Sequence, residues 1–327
     1  MTDPAVWRPS ASLATLRARA AMLATIRAFF AQRGVLEVET PIASRAAVSD
    51  PALDSLATRW HGPGHPEGLP LYLQTSPEFP MKRLLAAGVG PIYQVCKVFR
   101  DGERGRRHHP EFSLLEWYRP GWGYRALMAE VADLVRAILM APGLACEELR
   151  YRDLFRDRLD LDPWDTDVQG LREQALARGL GGAADLDLSR DAWLDLLLSH
   201  CLEQDLGRGR MTFVYDYPLT QAALARVSLE PEPHGERFEL YLEGMELANG
   251  FDELTDATEQ RRRFAQDQEE RVAAGRGTLP LDEPFLAALG AGLTPGSGVA
   301  LGLDRLLMVR IGADHIDQVL AFPVELA

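Results

Sequence analysis

Features that mark several protein classes are missing from this 327-residue sequence. Its three cysteines, Cys96, Cys146 and Cys201, are widely spaced and form no C-x-x-C pair, so neither a disulfide framework nor a zinc site is expected. No run of roughly 18 apolar residues occurs, which predicts no membrane span. Residues 1–19 contain no apolar signal core, so a cytoplasmic, reduced protein is expected.

Positive charge is also scarce. Lys plus Arg number 35 against 48 for Asp plus Glu, which gives a formal net charge of −13. A protein that holds a nucleic-acid backbone needs a net-basic face, so a broad surface of that kind is excluded, although a local basic cluster is not. The hydrophobic content of 46% and the charged content of 25% are those of a globular protein and exclude disorder.

The order of apolar, polar and turn residues predicts antiparallel strands with helices segregated around them, which is an α+β layout. We expect residues 1–327 to form a single domain. Residues 43–70 are rich in turn signals, with Gly-Pro-Gly-His-Pro at 62–66. Residues 145–210 are acidic and predict an inserted helical segment rather than a separate domain.

Local periodicity predicts the elements of this layout. Residues 10–33 have the spacing of an amphipathic helix, with Gly34 as its stop. Residues 91–100 and 111–118 predict an antiparallel hairpin around a long polar loop. Further strands are expected at 212–217, 237–242, 245–251 and 299–301, and further helices at 124–140, from Asp256 to Gly275, and from about Leu303.

Arginines crowd the polar loop of that hairpin. It contains Arg100, Arg104, Arg106 and Arg107, with Asp101 and Glu103 between them and His108 and His109 after them. Arginine forks match phosphate oxygens in a bidentate manner, so this local reversal of charge indicates phosphate binding. A solvated hairpin tip is the alternative interpretation.

Acidic residues mark the strand at 245–251. Counting in steps of two puts Glu246, Ala248 and Gly250 on one face, and Leu247, Asn249, Phe251 and Glu253 on the other. A bulge at Gly250 would bring Glu246 and Glu253 together, and paired carboxylates are suitable ligands for Mg²⁺. An edge strand with exposed acids is the alternative.

A glycine-rich segment, 296–302, precedes the last predicted helix. Gly298 and Gly302 allow a flat ligand to approach the backbone closely, and Arg305 lies in the first turn of the helix. A strand corner with a surface arginine is the alternative. The three segments together could bind ATP and Mg²⁺, although neither a Walker A sequence nor a kinase H-R-D loop is present.

These segments resemble the catalytic domain of the class II aminoacyl-tRNA synthetases. The three signature motifs occur in order, as a helix with residues 34–41, residues 99–112 and residues 298–305. More narrowly, the chain is similar to the lysyl-tRNA synthetases in residues 76–78, 107–112 and 246–254.

Lysyl-tRNA synthetases carry an N-terminal OB-fold that reads the anticodon, and no such domain is expected here because the first-motif helix begins by residue 10. With Leu115-Glu116-Trp117-Tyr118-Arg119-Pro120, the chain resembles stand-alone paralogues of that family, which activate (R)-β-lysine with ATP and attach it to a lysine of elongation factor P. The resemblance implies ATP and Mg²⁺ as cofactors, elongation factor P as the protein partner, no tRNA, and a homodimer built on the first motif.

The resemblance also implies a role for individual residues. Arg100 would hold the α-phosphate, Arg305 the γ-phosphate, and Phe112 would stack on adenine. The implied ATP-binding residues are Arg100, Asp101, Gly102, Glu103, His108, His109, Phe112, Glu246, Leu247, Gly302 and Arg305. The implied substrate-binding residues are Ser76, Glu78, Glu116, Tyr118, Asn249, Glu253 and Ala300, and the implied Mg²⁺ ligands are Glu246 and Glu253.

The chain departs from the family pattern at a few positions. The second motif usually reads Arg-x-Glu, but Gly102 stands at the third place and the acid follows at Glu103. Either Glu103 reaches adenine after a loop shift, or that contact is lost. His109 stands where the family often has Asn, and Ser76 and Ala300 stand where lysyl-tRNA synthetases carry Ala and Gly.

Two other functions are compatible with the same core. One is a different amide-forming ligase, such as an ammonia-dependent asparagine synthetase, but its acidic substrate would need a cationic pocket, whereas Glu78 and Glu116 are carboxylates. The other is a non-catalytic paralogue that binds an amino acid and regulates a partner. Such proteins tend to lose the ATP-binding residues, and here both arginines and both acids are present.

Overall fold

The computed structural model describes residues 7–183, 185–230 and 232–327. These residues form two compact units: the first comprises Met1–Trp122, Ala137–Leu139 and Thr255–Ala327, and the second comprises Gly123–Arg136 and Met140–Leu254. The expectation of a single domain stays a prediction. In the described part of the chain, no helix is both long enough and apolar enough to cross a bilayer.

The helices and strands follow one another as a mixed α and β chain. The described helices are α1 (Leu13–Ala31), α2 (Glu78–Ala86), α3 (Tyr124–Leu139), α4 (Tyr151–Leu159), α5 (Val168–Ala177), α6 (Arg190–Leu197), α7 (Ala257–Ala273), α8 (Glu283–Gly292) and α9 (Leu303–Ile311). The described strands are β1 (Leu36–Glu37), β2 (Ala43–Ser44), β3 (Ala57–Gly62), β4 (His65–Leu73), β5 (Ile92–Phe99), β6 (Glu111–Pro120), β7 (Cys146–Arg150), β8 (Met211–Tyr217), β9 (Val227–Ser228), β10 (His234–Leu242), β11 (Met245–Asp252) and β12 (Gly296–Gly302).

The first unit contains the predicted hairpin and packs the predicted first helix against it. Strands β5 and β6 are antiparallel, β12 is antiparallel to β6, and β1 runs parallel to β5. Helix α1 starts where the Ser12 side chain accepts a hydrogen bond from the Thr15 amide. Its fully buried Phe30 stacks on Tyr93 of β5, with ring centroids 4.4 Å apart, and this contact fixes the helix on the sheet.

Residues 43–70, which the sequence marks by turn signals, contain strands that it did not predict. Strands β2, β4 and β3 form a small antiparallel sheet in that order. The residues of β3 are almost all exposed, so no alternation of apolar and polar residues marks it in the sequence. The turn signals at 62–64 are the tip of its hairpin with β4 rather than part of a long loop.

The second unit is built on strands β11, β10, β8 and β7, with β9 paired to β10. The predicted helical segment contributes α4, α5 and α6, which enclose a core that includes Tyr151, Phe155 and Trp193. Strand β7 lies at the start of this segment and was not expected. It pairs in parallel with β8, a long-range pairing that local pattern does not reveal.

The predicted bulge in β11 exists, but its position at Gly250 is wrong. The register passes from Leu240↔Ala248 to Tyr241↔Glu246, so the extra residue is Leu247. A bulge at Leu247 inverts the side-chain alternation along the strand. Glu246 therefore lies on the same face of the sheet as Asn249, and on the opposite face from Ala248. The pairing register with β10 determines the position of the bulge, and the sequence of β11 alone does not reveal that position.

Candidate active site

A buried carboxylate lies at the centre of the first unit's sheet. Glu116 on β6 is paired with Gln94 on β5 and with Ala300 on β12, so the three residues form one row across the sheet. Only 2% of Glu116 is exposed. Its Oε2 accepts a hydrogen bond from Ser76 Oγ at 2.8 Å, and its Oε1 accepts one from the Tyr118 hydroxyl at 2.6 Å.

The start of helix α2 places a second carboxylate beside the first. Ser76 Oγ accepts a hydrogen bond from the Glu78 amide at 3.0 Å, so one hydroxyl both shapes the entry to the helix and donates to Glu116. Glu78 then lies in the first turn, where a negative charge is favoured by the helix dipole. One turn later, the buried Lys82 donates a hydrogen bond to Glu78 Oε1.

This environment perturbs the acidity of Glu116. Burial, followed by the charge of Glu78, raises the pKa of Glu116 to about 7. The hydrogen bonds from Tyr118 and Ser76 and the charge of Lys82 act in the opposite direction. Near neutral pH the Glu116 carboxyl group is therefore partly protonated, and a nearby cation would readily favour its ionised form.

The arginine loop presents its first arginine over an aromatic ring. Arg100 Cζ lies 5.0 Å from the centroid of the Phe112 ring, and Arg100 Nη1 lies 3.5 Å from Glu103 Oε1. The Nε atom of Arg100 is buried, with no hydrogen-bond acceptor among the described residues. An anionic oxygen would satisfy it. Glu103, one place later than the family acid, thus still lies beside Arg100.

Two residues of the loop have plain backbone roles in the structure. Asp101 Oδ1 accepts a hydrogen bond from the Gly102 amide at 2.9 Å, and the Asp101 amide donates to Asp54 O at 2.8 Å. Gly102 has a φ of +77°, a conformation that favours glycine. A glutamate at position 102 would be strained in this turn.

The second predicted arginine is held by the same loop. Arg305 Nε donates to Arg107 O at 3.2 Å, and Arg305 Nη2 lies 2.6 Å from His108 Nε2. Burial, followed by the charge of Arg305, lowers the pKa of His108, so the imidazole is neutral and accepts this hydrogen bond. Gly302 directly precedes α9, which places Arg305 in its first turn.

Asp304 fixes the start of α9 and was not singled out in the sequence. It is 2% exposed, its Oδ2 accepts the Ser113 amide of β6 at 2.6 Å, and it forms an ion pair with Arg19 of α1. The residue thus ties three elements together next to Arg305. No local pattern marks it, because its partners lie far away in the sequence.

His109 has both ring nitrogens engaged. Its Nδ1 lies 2.6 Å from Glu111 O, and its Nε2 accepts the Val324 amide at 2.9 Å. These contacts assign the proton to Nδ1. The side chain is 4% exposed, so contact with a nucleotide would require one of these bonds to break.

The second unit holds the remaining predicted residues. Glu246 is partly exposed, Glu253 is 4% exposed, and Leu247 is buried at the bulge. Asn249 Oδ1 accepts a hydrogen bond from Arg237 Nε at 3.1 Å, and Arg237 Nη2 also donates to Glu239. Within the described ranges, no group of three or more His, Cys, Asp or Glu side chains has the geometry of a metal site.

Sequence reasoning missed several polar residues at these sites. Lys82 could have been found, because it follows Glu78 by four positions on a helix, the spacing of an ion pair. Arg237 and Glu239 lie two apart on β10 and therefore share a face. Gln94 becomes relevant only through the strand register.

Comparison with known proteins shows the family of this chain. A sequence model of the tRNA synthetases class II (D, K and N) matches residues 5–326, so the chain belongs to that family. Over 327 residues, covering 100% of both chains, it is 50% identical to a protein of Enterobacter sp. (strain 638) named elongation factor P--(R)-beta-lysine ligase. A protein of Klebsiella pneumoniae (strain 342) with the same name is also 50% identical over the full length of both chains.

Proposed function

We propose that this chain is an ATP-dependent ligase that activates (R)-β-lysine as its adenylate and transfers it to a lysine ε-amine of elongation factor P. The carboxylate cluster of the buried Glu116 and the partly exposed Glu78 is the observation that carries this proposal. A lysine-like substrate brings two ammonium groups, and buried carboxylates with fixed partners are the groups that recognise them. The names of the full-length relatives support the same substrates.

The reaction has two steps. First, a carboxylate oxygen of the substrate attacks the α-phosphorus of ATP, and the bond to the β-phosphate oxygen breaks to release pyrophosphate. The ε-amine of the acceptor lysine then attacks the carbonyl carbon of the adenylate, an amide forms, AMP leaves and one proton is released. The bound carboxylate is already a nucleophile, so positioning and charge stabilisation supply the catalysis of the first step.

The arginines of the first unit fit the phosphates. We assign Arg100 to the α-phosphate, because its buried Nε needs an acceptor, and Arg305 to the γ-phosphate. We assign Phe112 to adenine through its ring, and Asp101, Gly102, Glu103, His108 and Gly302 to the nucleotide as well. His109 is retained in this set only with the loss of one of its present hydrogen bonds.

Glu78, Glu116 and Tyr118 are assigned to the substrate's ammonium groups, and Ser76 and Ala300 to the shape of that pocket. We assign Asn249 and Glu253 to the substrate as well, and Glu246 and Leu247 to ATP. Glu246 and Glu253 would hold Mg²⁺. Two carboxylates fit this ion, which keeps several waters and binds phosphate oxygens. The ion would neutralise charge on the phosphates.

The decisive experiment is ATP–pyrophosphate exchange with a panel of amino acids, followed by mass spectrometry of elongation factor P. We expect exchange with (R)-β-lysine in preference to α-lysine, and a mass gain on elongation factor P. Exchange with charging of tRNA and an unmodified elongation factor P would reject the proposal. Amino-acid binding without any exchange would instead indicate the regulatory paralogue, and exchange driven by aspartate would indicate an asparagine synthetase.

A variant links the activity to the site. Arg100→Ala should abolish exchange while leaving the circular dichroism spectrum unchanged, because the positive charge at the α-phosphate is lost. Arg262→Ala is the control, since that arginine is exposed on α7 and pairs only locally with Glu259. Exchange that persists in Arg100→Ala would remove this residue from the site.

We further propose a cytoplasmic homodimer that does not act on tRNA. The first motif builds the subunit interface in this class of enzymes, and the chain carries that motif in α1 and the residues after it. Light scattering at micromolar concentration should give twice the mass of the chain. A monomer under those conditions would contradict the dimer.

A further inference from the structure

The arginine loop is bonded to the segment that follows α9, here called the brace (residues 313–325). Arg104 holds Glu325 through a fork: Nε donates to Oε1 at 2.8 Å and Nη2 donates to Oε2 at 3.0 Å. The same Nη2 also donates to Asp317 Oδ2 at 2.8 Å. A bidentate guanidinium–carboxylate pair with a second carboxylate defines the loop's position in both distance and angle.

Backbone groups add further links between the loop and the brace. The Ile316 amide donates to Arg106 O at 2.9 Å, and Arg106 Nε donates to Asp314 O at 2.6 Å. At the far end, the Val324 amide donates to His109 Nε2 at 2.9 Å. The loop is therefore held at its tip and at its return to β6.

The brace itself is anchored to the core. Ile316, Val319 and Leu320 are 2%, 0% and 6% exposed. The carbonyl of Leu320 accepts hydrogen bonds from Ser10 Oγ at 2.9 Å and from the Ala11 amide at 3.2 Å. Because buried side chains fix the brace on the core, its hydrogen bonds to the loop restrain the movement of the loop.

We propose that Arg104 and His109 are positioning residues, through which the brace orders the arginine loop before ATP binds. The inference rests on the proposed function, in which this loop contacts the nucleotide. Arg305 is held by Arg107 O and His108 of the same loop, so a loop ordered in advance presents Arg305 in place. ATP then binds without the entropic cost of ordering the loop. His109 contributes to this arrangement through its hydrogen bond from the Val324 amide.

Kinetics of the exchange reaction test this role. In Arg104→Met, we expect the KM for ATP to rise about fivefold, with kcat and the KM for the amino acid within about twofold of wild type. Glu325→Gln, which keeps Asp317 as a partner, should raise the KM for ATP about twofold. Arg104→Lys should fall between wild type and Arg104→Met, because it keeps the charge and loses the fork.

A matched control exists on the same unit. Arg261 and Glu283 form a similar exposed fork, with Nη1–Oε1 at 2.9 Å and Nη2–Oε2 at 2.6 Å, between α7 and α8. Glu283→Gln removes an equivalent ion pair away from the loop and should leave the KM for ATP unchanged. An equal rise in Glu283→Gln and Glu325→Gln would overturn the proposal.

Hydrogen–deuterium exchange tests the brace without any activity. In wild-type protein free of nucleotide, the amides of Gly105 and His108, which bond to each other's carbonyls, should exchange slowly. In Arg104→Met they should exchange at least about tenfold faster, while the amides of β5 and β6 stay protected. Unchanged protection in the loop would refute the brace, even if the enzyme is active. A wild-type protein without ATP–pyrophosphate exchange activity would refute the proposed function instead. The hydrogen–deuterium result would still show whether the brace orders the loop.

Discussion

Glu116 gives the sharpest quantitative prediction. The carboxyl titrates near 4.5 in an unfolded chain and near 7 in the folded protein, mainly because burial disfavours its charged form. Between these two pH values the folded state keeps a proton that the unfolded state has released. Its contribution to the free energy of unfolding is therefore fully present below about pH 4.5 and is lost as the pH rises through about 7.

The size of this loss follows from the two pKa values. Their gap of about 2.5, at 1.36 kcal/mol for each pKa unit, corresponds to about 3 kcal/mol. Glu116 is 2% exposed, so solvent screening does not reduce this figure much. The charge of Glu78 contributes to the gap, and Lys82 offsets part of that contribution.

The perturbation is Glu116→Gln. Glutamine keeps a similar shape and can bond to Ser76 and Tyr118, whose hydroxyls can reverse their direction, but it does not titrate. We would measure urea unfolding of both proteins from pH 4 to pH 8, following tryptophan fluorescence. The free energy of unfolding of wild type should fall relative to the variant by about 3 kcal/mol over this range. Parallel curves would refute the raised pKa.

The same titration has a consequence for the proposed reaction. A bound ammonium group favours ionised Glu116, so substrate binding below pH 7 must release a proton. The KM for the amino acid should therefore fall as the pH rises toward 7 and then level off. A KM for the amino acid that stays constant from pH 5.5 to pH 8 in wild type would show that Glu116 does not bind the ammonium group.

Two further substitutions test the fold and the pocket. Tyr118→Phe removes the hydroxyl that donates to Glu116 Oε1 and should raise the KM for the amino acid about three- to tenfold in the exchange assay; an unchanged KM would exclude the contact. Gly207→Ala should lower the free energy of unfolding by about 2–3 kcal/mol, because φ is +71° and the new Cβ would lie 2.5 Å from Leu242 Cα. Gly179→Ala, also at positive φ but with open space around it, should cost only about 1 kcal/mol, and equal losses would contradict the clash.

The local sequence pattern predicted an element correctly where residues close to it in the sequence determine its structure. The hairpin of β5 and β6 alternates around a polar loop, and its register is regular from Ile92↔Tyr118 to Phe99↔Glu111. Helix α7 begins where Asp256 Oδ1 accepts the amides of Thr258 and Glu259, as the capping signal predicts. Its Glu259, however, pairs with arginines instead of returning to the cap.

Elements that depend on a distant partner were not predictable in this way. Strand β3 is exposed and carries no periodic signal, and it forms because β4 lies beside it. The bulge at Leu247 is defined against β10, so counting along β11 put it three residues too late. In both cases the deciding hydrogen bonds come from another strand, and residue types along one strand do not record them.

The sequence by itself determined which residue types are available and in which order: the arginine cluster, the two acid pairs, the glycine-rich strand, and their spacing as class II synthetase motifs. Tertiary structure alone decided which atoms meet. The row of Gln94, Glu116 and Ala300 exists because three strands align in register. The contact between His109 and Val324 joins residues 215 positions apart. Hydrogen bonds and ion pairs act over a few ångströms, so the role of each polar side chain depends on the neighbours that folding brings to it.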